Sequence, residues 1–258
     1  VTLDYSTYLV SLLVLTRFTG ALLFNPFLGR RSVPAIAKVG LALLLTVVIF
    51  PTLKLAPVSF PTPISFMLAL IREMLIGYAL GLVMNLFIAW VLMAGEIMDM
   101  EMGSSVSKIY DPQSGISMPI TGTALNIMFT LIFFATNGHL TLIRIAADSL
   151  TMFPPGPQMV AFEVGRYLTL MLGDMIMLAL KLAMPVLAIE LLSEAGLGVL
   201  MRIVPQINVF VVGIQIKLAI GLLVVVLALP AISRLIDFSL GQMFEAMRKG
   251  VQIMLTQG

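Results

Sequence analysis

The chain contains no cysteine and a single histidine, His139. The first absence excludes disulfides and thiolate metal sites, and the second excludes a histidine-rich metal centre. Charge is scarce as well. Only 11% of residues are charged and 60% are apolar, against about 25% and about 45–50% in an ordinary soluble domain. With a mean hydropathy of +1.08, the composition is that of an integral membrane protein or of a subunit buried in a membrane complex. The net charge is only +2, and apart from Arg30-Arg31 and Arg248-Lys249 the basic residues stand singly. A surface that tracks a phosphate backbone needs clustered basic residues, so no nucleic acid partner is expected. The opening stretch VTLDYSTYLV has no charged n-region and no small-residue cleavage site, so no signal peptide is expected.

What is abundant is apolar sequence in long blocks: Tyr8–Leu28, Ala35–Leu55, Ile64–Met102, Met118–Leu142, Glu163–Ala195 and Ile207–Ile236. A spanning helix needs about 20 apolar residues, and in lipid a segment must satisfy its own backbone, so each block predicts helix. The expected class is all-α and polytopic, with helical hairpins and broken or kinked helices. Ile64–Met102 is too long for one upright span and must be broken, steeply tilted or partly outside the bilayer. Pro185 predicts a kink near Lys181–Pro185. The separators NPFLGRRSVP, PTLKLAPVSFPTP and FPPGPQ are breaker clusters. RIVPQIN is a short turn, which predicts that the last two blocks form an antiparallel hairpin. Basic residues do not segregate to alternate loops, so the positive-inside rule gives no orientation and simple serial spans are in doubt.

Several ionisable residues lie within the apolar blocks: Arg17, the Arg72-Glu73 pair, Asp174, Lys181, Glu190, Glu194 and Lys217. Each costs at least about 2.5–3.5 kcal/mol at bilayer centre unless it is paired or faces a wet cavity. Lys181, Glu190 and Lys217 are expected as buried charges. Two readings stand for them: a polar path for ions or substrate, or charges satisfied by neighbouring helices. Asp174 and Lys181, seven apart, share a helix face and can meet one neighbour. Gly77, Gly81 and Asn85 form a step-of-four stripe suited to close helix approach, and Gly213, Lys217 and Gly221 form another. Most of the 19 methionines read as core filling. Those at Met93, Met98, Met100 and Met102 can also form a deformable seal.

The most polar stretch lies mid-chain: AGEIMDMEMGSSVSKIYDPQSGISMP, from Ala94 to Pro119. Glu96, Asp99 and Glu101 either attract a basic partner or line a vestibule, or else form a solvated helix end. Positions 96 and 99 are expected to share a face. No nucleophile, metal-ligand set or Walker lysine accompanies these carboxylates, so no catalytic residue, metal or cofactor is expected. His139, after Asn137-Gly138, reads as a hydrogen-bonded residue at a helix end or break. The tail GQMFEAMRKGVQIMLTQG reads as a helix lying at a membrane interface or packing on a partner.

Three segments in order, NLFIAWVLMAGEIMDMEMGSSVSKIYDPQSG, FFATNGHLTLIRIAADS and MRIVPQINVFVVGIQIKLAIGL, resemble the FliR family of flagellar export-gate proteins, which has relatives in virulence secretion systems. The resemblance covers nearly the whole chain. It implies a FliP-like helical part over residues 1–160 and a FliQ-like hairpin with a tail over 161–258. It implies assembly with FliP and FliQ, and association with an FlhB-like protein, in the bacterial inner membrane at the flagellar basal body. The implied cargo is unfolded export substrate, held transiently. It also implies that a loop at about 103–119 plugs the closed pore. Met102, Gly103, Ser104, Ser105, Ile109, Tyr110, Asp111, Pro112 and Gly115 are then the gating residues. Their chemistry suits the role. Gly103, Ser104, Ser105 and Gly115 rearrange at low conformational cost, Ile109-Tyr110 gives an apolar tip, and Asp111-Pro112 forces an extended or turn geometry.

Two other functions compete with a passive gate subunit. A secondary transporter or ion channel needs a midplane site and usually inverted repeats, and no convincing repeat relates the two halves. A membrane enzyme needs a convergent catalytic set, which the sequence does not supply.

Overall fold

The computed structural model describes residues 5–29, 33–53, 55–56, 58–103, 120–156, 163–203 and 209–255. Seven α-helices form among them: α1 Tyr5–Leu23, α2 Ala35–Ile49, α3 Pro63–Glu101, α4 Ile120–Ala135, α5 Gly138–Met152, α6 Glu163–Ile203 and α7 Val209–Leu255. A single 3-10 turn, Phe50–Thr52, follows α2, and no strand forms among the described residues. Five helices are long and apolar enough to cross a membrane, and α4 with α5 makes a sixth if that bent pair counts as one span. The protein is an all-α polytopic membrane protein.

Local chemistry sets the boundaries. After α1, the Asn25 side chain accepts hydrogen bonds from the amides of Phe27 (2.8 Å) and Leu28 (3.1 Å), an Asx turn that stops the helix. Thr62 and Ser65 cap the start of α3 reciprocally, at 3.2 and 3.4 Å, with Pro63 at the first helical position, where a missing N–H costs nothing. Asn137 breaks the fourth apolar block. It adopts the left-handed region at φ 57°, which Asn tolerates better than most residues, and α4 and α5 meet there at 68°. His139 follows this bend, its ring 5.4 Å from that of Phe134. Its Nδ1 is buried and makes no hydrogen bond, so the expected hydrogen-bonded role through that atom gives way to ring packing.

The long third block is one continuous helix of 39 residues, which excludes the broken alternative and leaves a length of about 58 Å against a hydrocarbon core of about 30 Å. Helix α6 likewise continues through Pro185, and α7 through Pro230. The C-terminal tail is no separate interfacial helix. It is the end of α7, and Met243, Met247 and Val251 are buried within the chain itself. The Tyr167 hydroxyl donates to the Ala246 carbonyl at 3.2 Å.

The chain divides into two compact units. The first takes the described residues of 1–87, 134–171 and 240–258, and the second those of 88–133 and 172–239. At the heart of the first unit, Arg17 is 1% exposed and Glu73 fully buried. The Arg17 Nε donates to Glu73 Oε2 at 2.6 Å, Nη1 to the Ser149 carbonyl at 2.6 Å, and Nη2 to the Phe153 carbonyl at 2.8 Å. Arg72 Nη2 meets the other Glu73 oxygen at 2.6 Å. One carboxylate thus serves two guanidiniums. Arg17 also satisfies carbonyls at the end of α5, where a cation is favoured by the unpaired acceptors of a helix C-terminus.

Small residues make this approach possible. A side chain on Gly77 would overlap the Arg17 carbonyl and the Ala21 amide, and one on Gly20 would meet the Met74 carbonyl. Gly81 lies against the Phe24 backbone, whose carbonyl accepts from Asn85 Nδ2 at 2.6 Å. Glu73, Gly77, Gly81 and Asn85 therefore form one stripe at steps of four, all facing α1.

Replacing Glu73 with Gln should destabilise the detergent-solubilised chain by about 3–5 kcal/mol, because a buried charge loses its partner. Thermal unfolding followed by circular dichroism reads this, and an unfolding midpoint equal to that of the parent would refute the pairing as a stabilising element.

Candidate functional site

The second unit contains both ends of the central loop. Residues 104–119 lie outside the described structure. The proposed gating positions Ser104, Ser105, Ile109, Tyr110, Asp111, Pro112 and Gly115 therefore fall outside it, while Met102 and Gly103 fall within it.

The two helices that flank the loop touch at their backbones. A side chain on Gly95 of α3 would overlap the Cα and amide nitrogen of Gly122 in α4. One turn further along α3, the buried Asp99 carboxylate accepts from the Thr121 amide at 3.0 and 3.2 Å. The Gly122 amide lies at 3.5 Å from the same carboxylate. These are first-turn amides of α4, which have no acceptor inside their own helix. A carboxylate there is favoured both as a charge-assisted acceptor and by the helix dipole. Asp99 therefore fastens the far end of the loop to the near end.

This corrects the expectation for the three carboxylates. Asp99 is a buried cap, 2% exposed, rather than a vestibule or partner-facing group. Glu96 is exposed and Glu101 half-buried, so Glu96 and Asp99 do not share an environment. Three residues along a helix leave a difference of about 60°, and the edge of the contact with α4 passes between them.

The end of α3 is equally defined. Met102 is fully buried, and Gly103 follows at φ +74° with its amide bonded to the Met100 carbonyl at 3.1 Å. A left-handed residue just after a helix is the usual place for glycine. The Met102 side chain lies on Gly221 of α7, where any Cβ would overlap its Cγ and Sδ. The same Cβ would stand 2.8 Å from Glu190 Oε1 of α6. Three helices thus converge on a position without a side chain.

Around that point, Glu190 is fully buried, and neither of its carboxylate oxygens has a hydrogen-bond partner. One turn along, Lys217 meets Glu194 at 3.7 Å, with side chains 18% and 64% exposed. Four steps up α6 match four steps down α7, from Glu190 opposite Gly221 to Glu194 opposite Lys217, so the two helices are antiparallel here. Gly213 is buried on the same helix. Lys181, expected as a buried charge, is exposed on α6. The buried side of that stretch carries Ala179, Leu182, Ala183 and Val186 instead.

The structure thus gathers Met102, Gly103, Glu190 and Gly221 at the loop base, with Lys217 one turn away. Gly77, Gly81 and Asn85 lie in the first unit and pack α1 on α3. Sequence reasoning missed Gly95, Thr121 and Gly122. Their signal was present: Gly95 and Asp99 are one helical step apart, and TGT opens the next apolar block. Chemically the arrangement is a clasp. Among the described residues no group of three or more His, Cys, Asp or Glu side chains can hold a metal ion.

Replacing Asp99 with Ala should cost about 1 kcal/mol of capping and so speed hydrogen exchange at Thr121 and Gly122 several-fold. Unchanged exchange at those amides would show that the cap does not hold the helix end.

The family described as Bacterial export proteins, family 1, matches residues 8–243. Curated relatives match most of the chain. The flagellar biosynthetic protein FliR of Bacillus subtilis (strain 168) is 31% identical over 224 residues, covering 86% of each chain. That of Escherichia coli (strain K12) is 33% identical over 220 residues, covering 85% of this chain and 84% of its own. That of Aquifex aeolicus (strain VF5) is 27% identical over 227 residues, covering 88% of each.

Proposed function

The chain belongs to bacterial export protein family 1, and from that footing we propose that it is a non-catalytic subunit of the flagellar protein export gate in the bacterial inner membrane. In this reading it assembles with FliP and FliQ, associates with an FlhB-like protein at the basal body, and helps to conduct unfolded substrates out of the cytoplasm. Residues 1–160 form the FliP-like part and 161–258 the FliQ-like hairpin with its tail. The loop at about 103–119 is the plug of the closed pore, with Ile109-Tyr110 at its tip.

The observation that supports this reading best is the clasp at the loop base. Gly95 against Gly122 and Asp99 on the α4 amides tie together the two ends of a segment rich in glycine and serine. A plug needs such an arrangement: a firmly anchored stem under a segment of low conformational cost. Met102, seated on Gly221, supplies an apolar base that excludes water without binding ions. Buried Glu190 near the Lys217–Glu194 pair is the feature that favours the competing transporter reading. The absence of an inverted repeat in the sequence weighs against it.

Deleting Ser104–Gly115 tests the proposal in cells that make the complete apparatus. The expected outcome is a complex of normal yield, by native mass spectrometry, in a membrane that has become leaky to small ions. A tight membrane with export simply lost would sink the plug role. A chain that ignores FliP and FliQ and purifies alone would turn attention to Glu190 and Lys217 as a transport site.

A further inference from the structure

Glu190 is fully buried on α6, and neither of its carboxyl oxygens has a hydrogen-bond partner. A carboxyl in such a place is either neutral or answered by a cation. The cation at hand is Lys217 of α7, but its ammonium stands 3.7 Å from Glu194, whose side chain is exposed. An exposed pair of that kind holds weakly. The charge count points the same way. The ionisable groups that act on Glu190 are Lys217 from α7, Glu101 from the end of α3 and Glu194 from its own helix. One ammonium faces three carboxyls. With all three ionised, the site would carry two uncompensated negative charges, one of them in the core.

What Glu190 does lie against is sulfur. A Cβ placed on Gly221 would overlap Met102 Cγ and Sδ and stand 2.8 Å from Glu190 Oε1, so thioether and carboxyl sit side by side over one glycine. A thioether has no proton to donate and offers a carboxylate nothing, but it accepts weakly from an O–H. The seat over Gly221 therefore suits the neutral acid. Met102 is also the last residue before Gly103 turns the chain out of α3 at φ +74°. A change at this seat falls directly on the end of that helix.

We propose that Glu190 is a proton-operated latch on the seat of Met102. With its proton, Glu190 donates to the Met102 sulfur, and Met102 stays on Gly221. When the proton leaves to solvent, the carboxylate rejects the thioether, Lys217 turns from Glu194 to Glu190, and Met102 leaves the seat. The swap spans one helical turn: Glu190 and Glu194 are four apart on α6, and Lys217 and Gly221 are four apart on α7. Lower pH holds the seat, and higher pH releases it. The inference rests on the plug reading only for its consequence, which is control at the base of the central loop.

Infrared difference spectroscopy of the full chain in detergent tests the proton. The expected spectrum contains the carbonyl stretch of a buried carboxylic acid, which Glu190→Gln lacks and which fades as pH rises. Methionine-methyl NMR tests the seat, the Met102 signal being the one missing from Met102→Leu. That signal should move over the same pH range in the parent chain and keep its low-pH position at every pH in Glu190→Gln. Lys217→Gln should carry both transitions upward by about 1–3 pH units, because the ionised form loses its cation, and it serves equally if Glu190→Gln fails to fold. Glu194→Gln should carry them downward by freeing the lysine. A Glu190 that stays charged, or stays protonated, across the whole range overturns the proposal. So does a Met102 signal that ignores the loss of the proton. A pH-driven move of Met102, together with a tight membrane after deletion of Ser104–Gly115, keeps the latch and defeats the plug reading. A leaky deletion with an unmoved Met102 defeats the latch alone.

Discussion

Everything in the first unit is arranged around a carboxylate held between two arginines. Glu73 is fully buried, and Arg17 and Arg72 each reach one of its oxygens at 2.6 Å. In such a place neither charge tolerates the loss of the other, because the desolvation penalty remains when the attraction is gone. The pairing in turn demands that α1 and α3 come within backbone contact. Gly20, Gly77 and Gly81 provide that contact, and Asn85 closes it with a hydrogen bond to the Phe24 carbonyl. Charge pairing and glycine packing are one interaction with two requirements. The arginine also reaches the last carbonyls of α5, so three helices depend on a single guanidinium.

The second unit solves a different problem with similar means. A polar segment must leave the end of one apolar helix and enter the start of the next without leaving amides unpaired. Asp99 supplies the acceptor, the Gly95–Gly122 contact supplies the proximity, and Gly103 turns the chain out of α3. At the end of α3 the packing is definite: Met102 lies against Gly221, beside a carboxylate without a hydrogen-bond partner.

Much of this was legible in the sequence, and the failures have physical causes. Helix existence followed from apolar length, and the break at Asn137-Gly138 from the one residue type after glycine that accepts positive φ easily. The Gly77–Gly81–Asn85 stripe was visible, but Glu73, which begins it, was read only as half of an Arg72-Glu73 pair within an apolar block. Stepping back four residues from Gly77 would have joined them. Asp99 and Glu96 look alike in sequence, and only the position of α4 separates a cap from a surface group. Lys181 and Glu190 also look alike among apolar neighbours, and their opposite exposures reflect which side of α6 meets the rest of its unit. The tail was read as lying at a membrane interface or packing on a partner, because it sets Met247 and Val251 at helical spacing with Arg248 and Lys249 alongside. In the fold α7 runs straight through, and its methionines are buried.

The Arg17 cluster has a consequence for the order of biogenesis. Glu73 follows Arg17 by 56 residues and Ser149 follows it by 132. Synthesis proceeds from the N-terminus, so α1 reaches the membrane with its guanidinium unanswered, and it stays so until α3 has been made. Full satisfaction waits for the end of α5, more than half the chain later. Helix α1 is therefore made long before it is secured, and the nascent protein must keep it within reach of water or of an insertion factor until its distant partners arrive.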